Sequence, residues 1–146
     1  MRRKLLARAA VTAVLATGVA AGTSGAAEAG TWTGFNSSYY NGGVQRANTW
    51  GSIYWADRDT FAIPDLWLKD TSCDSWGSSV QIDVSGLWRG TTRVNDHGCG
   101  TSVDFGKVHA EDNNGIRYIG FIVCRTEGPG DVIKQCHETL YWNPNG

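Results

Sequence analysis

Three histidines, His97, His109 and His137, are the residues best suited to acid–base chemistry at neutral pH. A hydrolase would also need a serine or cysteine held beside a histidine, with a carboxylate to orient it. The chain has no Gly-x-Ser-x-Gly motif, and no serine has a context that sets it apart. The histidines alone therefore give little support to a nucleophilic enzyme.

Two acidic pairs, Asp57/Asp59 and Glu111/Asp112, have the residue types of a glycosidase site. Both pairs lie in polar segments between apolar stretches, where acidic residues commonly stabilise turns. We therefore interpret them as solvated turns. The prediction is a protein that is not an enzyme.

Four cysteines form the second group of reactive side chains: Cys73, Cys99, Cys124 and Cys136. They show neither the Cys-x-x-Cys spacing nor the histidine clustering of a structural zinc site. An even number of cysteines in an exported chain is typical of disulfides. The sequence therefore predicts two disulfides, no metal site and no cofactor.

Pairing of the cysteines follows from the strands that must position them. Apolar residues occupy both parities of residues 115–124, which is typical of a central strand buried on both faces. A strong turn signal follows at Gly128-Pro129-Gly130-Asp131. A hairpin folded at Gly130 places Gly128 opposite Val132 and Cys124 opposite Cys136, within reach of a disulfide. By elimination, Cys73 pairs with Cys99.

The N-terminal residues indicate export. Three basic residues follow Met1, an alanine-rich apolar run comes next, and Ala27-Glu28-Ala29 fits a signal peptidase site. We predict a signal peptide over residues 1–29 and a secreted, extracellular protein. Removal of the signal peptide lowers the number of basic residues from 13 to 9 and the number of acidic residues from 14 to 13. The remaining chain has a net charge of 9 − 13 = −4. This charge favours neither nucleic-acid binding nor association with an anionic membrane, and membrane insertion is not expected.

The rest of the chain is typical of an all-β domain. Short stretches with strand character alternate with turn signals about every ten residues, and no segment has a capped helical period. Val80, Ile82 and Val84 alternate with polar residues in the clearest half-buried strand. We predict a small, disulfide-stapled β-sandwich or barrel of about seven or eight antiparallel strands, spanning residues 49–146.

Residues 30–48 have a different composition, aromatic, glycine-rich and uncharged until Arg46. We predict an extended N-terminal arm that contacts a protein partner and becomes ordered on binding. An ordinary first edge strand is the alternative. The side chains predicted to make the contact are the large aromatic ones: Trp32, Phe35, Tyr39 and Tyr40.

Seven tryptophans support a different function, a secreted carbohydrate-binding module that holds sugars, as possible glycan partners, against flat aromatic surfaces. The candidates are Trp50, Trp55, Trp67, Trp76 and Trp88. A small protease inhibitor or hydrolase is a third alternative, although no inhibitory loop between closely spaced cysteines is evident.

The leader, the four cysteines of residues 30–146 and the segment Gly30-Thr31-Trp32-Thr33-Gly34-Phe35 resemble one family. That family is the small adaptor subunit of actinobacterial umbrella toxin particles. Its adaptor joins a large toxin-bearing stalk protein to a lectin-bearing subunit with a trypsin-like domain. The resemblance implies a non-enzymatic assembly protein whose partners are larger secreted proteins of the same complex and whose N-terminal end inserts into a partner's cleft.

Overall fold

A computed structural model describes residues 30–127 and 132–146 of the chain. The predicted signal peptide, residues 1–29, and the predicted turn at 128–131 lie outside the described residues. The described part contains strands and loops without a helix. Its strands are β1 (Thr31–Asn41), β2 (Val44–Trp55), β3 (Thr60–Ile63), β4 (Leu66–Asp70), β5 (Trp76–Val84), β6 (Trp88–Arg89), β7 (Arg93–Asn95), β8 (Ser102–Asp104), β9 (Val108–Glu111), β10 (Tyr118–Glu127) and β11 (Val132–Trp142).

The strands form two antiparallel sheets. In the first sheet, β2 is central. β1 pairs along one edge of β2, and β3 and β4 pair with successive parts of its other edge. β9 then pairs with β3, and β8 pairs with β4. The second sheet has the order β11-β10-β5-β6, with β7 also pairing with β5. The all-β, sandwich-like architecture predicted from the sequence is confirmed. The described residues form eleven strands rather than seven or eight, because breaks such as the one at Pro64, between β3 and β4, divide the chain into shorter strands.

The core lies between the two sheets, where their inward-facing side chains meet. Phe35 of the first sheet stacks on Phe121 of the second, with ring centroids 4.0 Å apart. The edge of Tyr141 meets both rings. The largest fully buried side chains, which fill the rest of the core, are Trp55, Phe61, Phe121, Ile53, Ile63, Leu66, Leu68, Ile82, Ile116, Ile119, Val80 and Val84.

The predicted hairpin of β10 and β11 is confirmed in its position, register and disulfide. β10 pairs with β5 on one side and β11 on the other, and its residues 119–124 are all buried. Cys124 pairs with Cys136 in the ladder and is bonded to it, while Cys73 is bonded to Cys99. The register differs nearer the turn, because a bulge between Arg125 and Thr126 shifts it by one residue. Val132 consequently pairs with Glu127 rather than with Gly128, which corrects the predicted pair.

An ion-pair cluster joins the two sheets at one end of the sandwich. Arg46 of β2 and Arg125 of β10 both donate to one carboxylate oxygen of Asp74, at 3.0 and 2.8 Å. The guanidinium of Arg125 also lies 3.8 Å from the ring centroid of Trp76. Burial alone would raise the pKa of Asp74, but hydrogen bonds from Ser72 and Trp76 and the charges of both arginines together lower it.

Replacing Asp74 with asparagine should destabilise the fold by about 1–2 kcal/mol at pH 7, since two charge-assisted hydrogen bonds are weakened in a half-buried cluster. The folded-state pKa of Asp74 lies below its ordinary value of 3.8, so its ionised form stabilises the fold above the unfolded-state pKa. That contribution is lost as the pH falls through the folded-state value.

Urea denaturation of the unaltered chain and of Asp74→Asn, repeated between pH 7 and pH 2, measures this effect. The stability difference between the two chains should shrink below about pH 4. Burial and, to a smaller extent, the charge of Asp74 raise the pKa of Asp70, which therefore contributes with the opposite sign; burial acts in both chains, and the variant removes only the smaller effect of Asp74. A difference that stays constant over the whole range would show that the charge of Asp74 has no role.

Candidate functional site

The four aromatic residues predicted to contact a partner lie on alternating faces of β1. Trp32 and Tyr40 are 60% and 58% exposed, whereas Phe35 and Tyr39 point into the core and are 4% and 7% exposed. β1 pairs with β2 from Thr31 to Asn41. The structure therefore corrects the prediction of a separate arm over residues 30–48: this segment forms β1 and the first part of β2 within the domain, as in the edge-strand alternative. Burial removes Phe35 from the contact surface and leaves only a small part of Tyr39 accessible.

The outer edge of β1 carries backbone groups that no strand covers. The hydroxyl of Tyr141 bonds to both the N–H and the carbonyl of Asn36, at 2.9 Å each. The N–H and carbonyl of Asn36 therefore point away from β2. Because these groups alternate in direction along an antiparallel strand, the N–H and carbonyl groups of Gly34 and Ser38 also point away from β2. Within the described residues, β1 pairs with β2 alone. Natural proteins usually protect an edge strand of this length.

β11 is the edge strand of the second sheet and lies beside β1. The two strands are joined by side chains, with Ser37 Oγ donating to Thr139 Oγ1 at 2.8 Å and the Tyr39 hydroxyl donating to Gln135. Between the two edges is an open cleft of about 620 Å³, which we call the edge cleft. Its lining residues are Asn36, Ser38, Tyr39, Tyr40, Cys136, His137 and Thr139.

A second cleft lies on the outer face of the first sheet, and Pro64 explains its position. β4 pairs with β2 only as far as Gly51, and β3 pairs with β2 from Tyr54. The Pro64-Asp65 segment between β3 and β4 consequently leaves a notch in the sheet beside Ser52. We call the resulting space of about 420 Å³ the indole cleft, and its lining residues are Trp32, Trp50, Gly51, Ser52, Pro64, Asp65 and Trp67.

The aromatic rings around the indole cleft are ordered by strand pairing. Trp50 of β2 is opposite Trp67 of β4, and the two rings are nearly parallel, 10° apart with centroids separated by 6.0 Å. Trp32 of β1 is opposite Tyr54 of β2, with ring centroids 5.0 Å apart. Two of the tryptophans predicted as sugar-binding candidates, Trp50 and Trp67, are therefore brought together, with Trp32 beside them.

The other predicted tryptophans do not join this site. Trp55 is fully buried, and its indole N–H donates to Thr33 Oγ1. Trp76 packs against Arg125, and Trp88 lies at the far edge of the second sheet. Sequence reasoning missed Trp142, which is 65% exposed. Its position in the chain gave a signal that was not used, since Tyr141 faces inward and its neighbour Trp142 must therefore face outward.

The three histidines considered for catalysis lie on different elements, whereas the two acidic pairs are brought together: the N–H of Asp112 donates to the carbonyl of Asp59 at 2.8 Å, and Glu111 is opposite Thr60. All three histidines are exposed, His97 in the loop after β7, His109 on β9 and His137 on β11. Asp57 and Asp112 accept backbone N–H bonds from residues two positions later, as expected of turn-forming side chains. Over residues 30–127 and 132–146, no three His, Cys, Asp or Glu side chains are grouped so that they could hold a metal ion. The same ranges contain no helix long and apolar enough to cross a membrane.

Comparison with protein-family models, with curated proteins and with solved structures found no match to this chain. The two disulfides are typical of proteins in oxidising compartments such as the extracellular space.

Proposed function

We propose that this protein is a secreted, non-enzymatic adaptor that links larger subunits of an extracellular, toxin-type complex. The observation that carries the proposal is the edge of β1 beside the edge cleft, with which no strand of the described residues pairs and on which the Tyr141 hydroxyl occupies the backbone groups of Asn36. Free N–H and carbonyl groups along a strand edge bind an extended segment of another protein by strand addition. The resemblance to umbrella-particle adaptors supplies the type of complex. In place of a free arm, the domain offers an edge to which a partner's segment adds.

Side chains beside this edge favour a protein partner. Tyr40 is exposed at the end of β1 and lines the edge cleft, and tyrosine is enriched among the residues that contribute most to protein–protein binding. Asn36, Ser38 and His137 place hydrogen-bonding groups around it. The cleft thus combines an aromatic anchor with polar groups, as expected at a non-obligate interface.

Linking two subunits also requires a second contact surface. On the outer face of the second sheet, Trp142 and Leu140 are exposed, and the ring of Trp142 meets Tyr118 edge-on with centroids 5.3 Å apart. This apolar patch lies at the end of β11, beyond the edge-cleft residues of the same strand. The adaptor holds one partner at the edge cleft and another at this patch.

Removal of one backbone donor from the β1 edge should weaken partner binding. Ser38→Pro eliminates an N–H that points away from β2, so we expect at least a tenfold loss of co-purifying larger secreted proteins when the tagged chain is recovered from its native culture medium. Ser38→Ala is the matched control, because both variants lose the hydroxyl that accepts from Gln45 and donates to Asn48, but only proline removes the N–H.

A second pair of variants tests the aromatic anchor. Tyr40→Ala should also reduce capture of the larger proteins, whereas Leu87→Ala, at an exposed position outside β1 and β11, should not. Thermal melts establish that each variant is folded. Equal capture by Ser38→Pro and Ser38→Ala would refute the edge as the contact. Recovery of the unaltered chain alone would refute the adaptor function.

A further inference from the structure

We propose that the indole cleft binds a neutral saccharide, a second activity separate from the adaptor contact. The C–H face of a pyranose ring carries slightly positive hydrogens, and these are attracted to the electron-rich face of an indole. Trp50 and Trp67 are only partly buried and lie nearly parallel, while Trp32 is largely exposed across the notch. Indole rings from three neighbouring strands around one cleft suit a flat, amphipathic ligand.

Polar groups in the cleft match the hydroxyl groups of a sugar. The Asp65 side chain is exposed at the rim, and its carboxylate accepts hydrogen bonds from hydroxyl donors more strongly than a neutral oxygen does. Ser52 adds a hydroxyl that both donates and accepts. A lining of aromatic rings with a few polar groups is typical of small-ligand sites, and a volume of about 420 Å³ lies within their usual range.

Charge selects among saccharides. Asp65 lines the cleft, and Asp104 of β8 is opposite Trp67 in the ladder, which places its side chain on the same face of the sheet as the cleft. The chain without its predicted leader also has a net charge of −4, from 9 basic and 13 acidic residues. An anionic sugar, such as a uronic acid, would be repelled by this field. The ligand inferred is therefore an uncharged oligosaccharide.

Gly51 indicates that the notch is a built feature of the fold. A Cβ atom at this position would collide with the carbonyl oxygen of Asp65 and with the ring of Phe35. The absence of a side chain lets the Pro64-Asp65 segment approach β2 closely and places Asp65 beside the indoles. Gly34 of β1, which is opposite Ser52, leaves open space on the face of the sheet that holds the cleft. No atom lies within 4 Å of the position that its Cβ would occupy.

Titration of intrinsic tryptophan fluorescence tests the proposal, with isothermal calorimetry as a second readout. The probes are cellohexaose, laminarihexaose, maltohexaose, mannohexaose and chitohexaose. At least one should bind with a dissociation constant between about 10 µM and 1 mM. Trp67→Ala should weaken that binding by about tenfold or more, and Asp65→Asn, an exposed and nearly isosteric change, by roughly three- to tenfold.

Trp88→Ala is the matched control, since it removes a partly exposed indole distant in the fold from the cleft and should leave the affinity unchanged. Flat titrations with all five probes up to about 10 mM would overturn the proposal, as would equal loss of binding in Trp88→Ala and Trp67→Ala. Ser38→Pro should bind the sugar normally, so failure of the adaptor contact and failure of the sugar site can be distinguished.

Discussion

Replacing Phe35 with alanine is expected to lower the free energy of unfolding by about 3–4 kcal/mol. The side chain is almost fully buried, stacks on Phe121 and meets the edge of Tyr141. Its removal would leave a cavity between the two sheets. The cavity would lie beside β1 and β11, which are joined there by hydrogen bonds between side chains rather than by a backbone ladder. Urea denaturation of the variant and the unaltered chain gives this difference.

The same experiment decides whether residues 30–48 belong to the domain. Tyr40→Ala changes an exposed residue of the same strand and should alter the unfolding free energy by no more than about 0.5 kcal/mol. Equal midpoints for Phe35→Ala and the unaltered chain would contradict the packing of β1 and return the segment to a free arm.

Loss of the Cys73–Cys99 disulfide should cost about 3–4 kcal/mol, somewhat more than loss of Cys124–Cys136 at about 2–3 kcal/mol. The first bridge joins residues 26 positions apart in two irregular loops, whereas the second joins residues 12 positions apart. Because β10 and β11 are already paired around the second bridge, its removal leaves the strands held by their ladder.

Double serine variants, Cys73→Ser with Cys99→Ser and Cys124→Ser with Cys136→Ser, allow this comparison by urea denaturation. Each variant retains the other bridge, so the two measurements are matched. A larger loss of stability for the 124/136 variant would contradict the argument from loop length and would show that the hairpin depends on its bridge.

The hairpin was predictable because two independent signals agreed there. The turn signal in the sequence Gly128-Pro129-Gly130-Asp131 and the spacing of Cys124 and Cys136 predict the same register, and apolar residues on both faces identify β10 as central. Only the last pairs before the turn differ, since a bulge inserts one residue without a clear signal in the sequence.

β1 was harder to recognise because its inward face contains polar residues. Ser37 is buried between Phe35 and Tyr39, where Thr139 bonds to its hydroxyl, so the apolar alternation is interrupted at its centre. Asn114-Gly115 is a dipeptide typical of hairpin turns, but the chain there crosses from β9 in the first sheet to β10 in the second. Turn residues specify local conformation without specifying which strands pair.

The indole cleft illustrates the limit of residue type as evidence. Tryptophans were predicted as sugar-binding candidates, yet only pairing across β1, β2 and β4 decides which of them meet. Pro64 separates β3 from β4, but the notch also depends on Gly51 and on the lengths of the two strands. Pairings between distant parts of the chain determine these distances, and no local pattern encodes them.

Photochemical cross-linking from position 40 tests the adaptor function most directly. A chain carrying p-benzoylphenylalanine in place of Tyr40, illuminated in its native secreted mixture, should form a covalent product with a larger secreted protein. The same amino acid in place of Leu87, exposed outside the two edge strands, should not. Absence of a product from position 40, or equal products from both positions, would contradict a partner-binding site at the β1 edge.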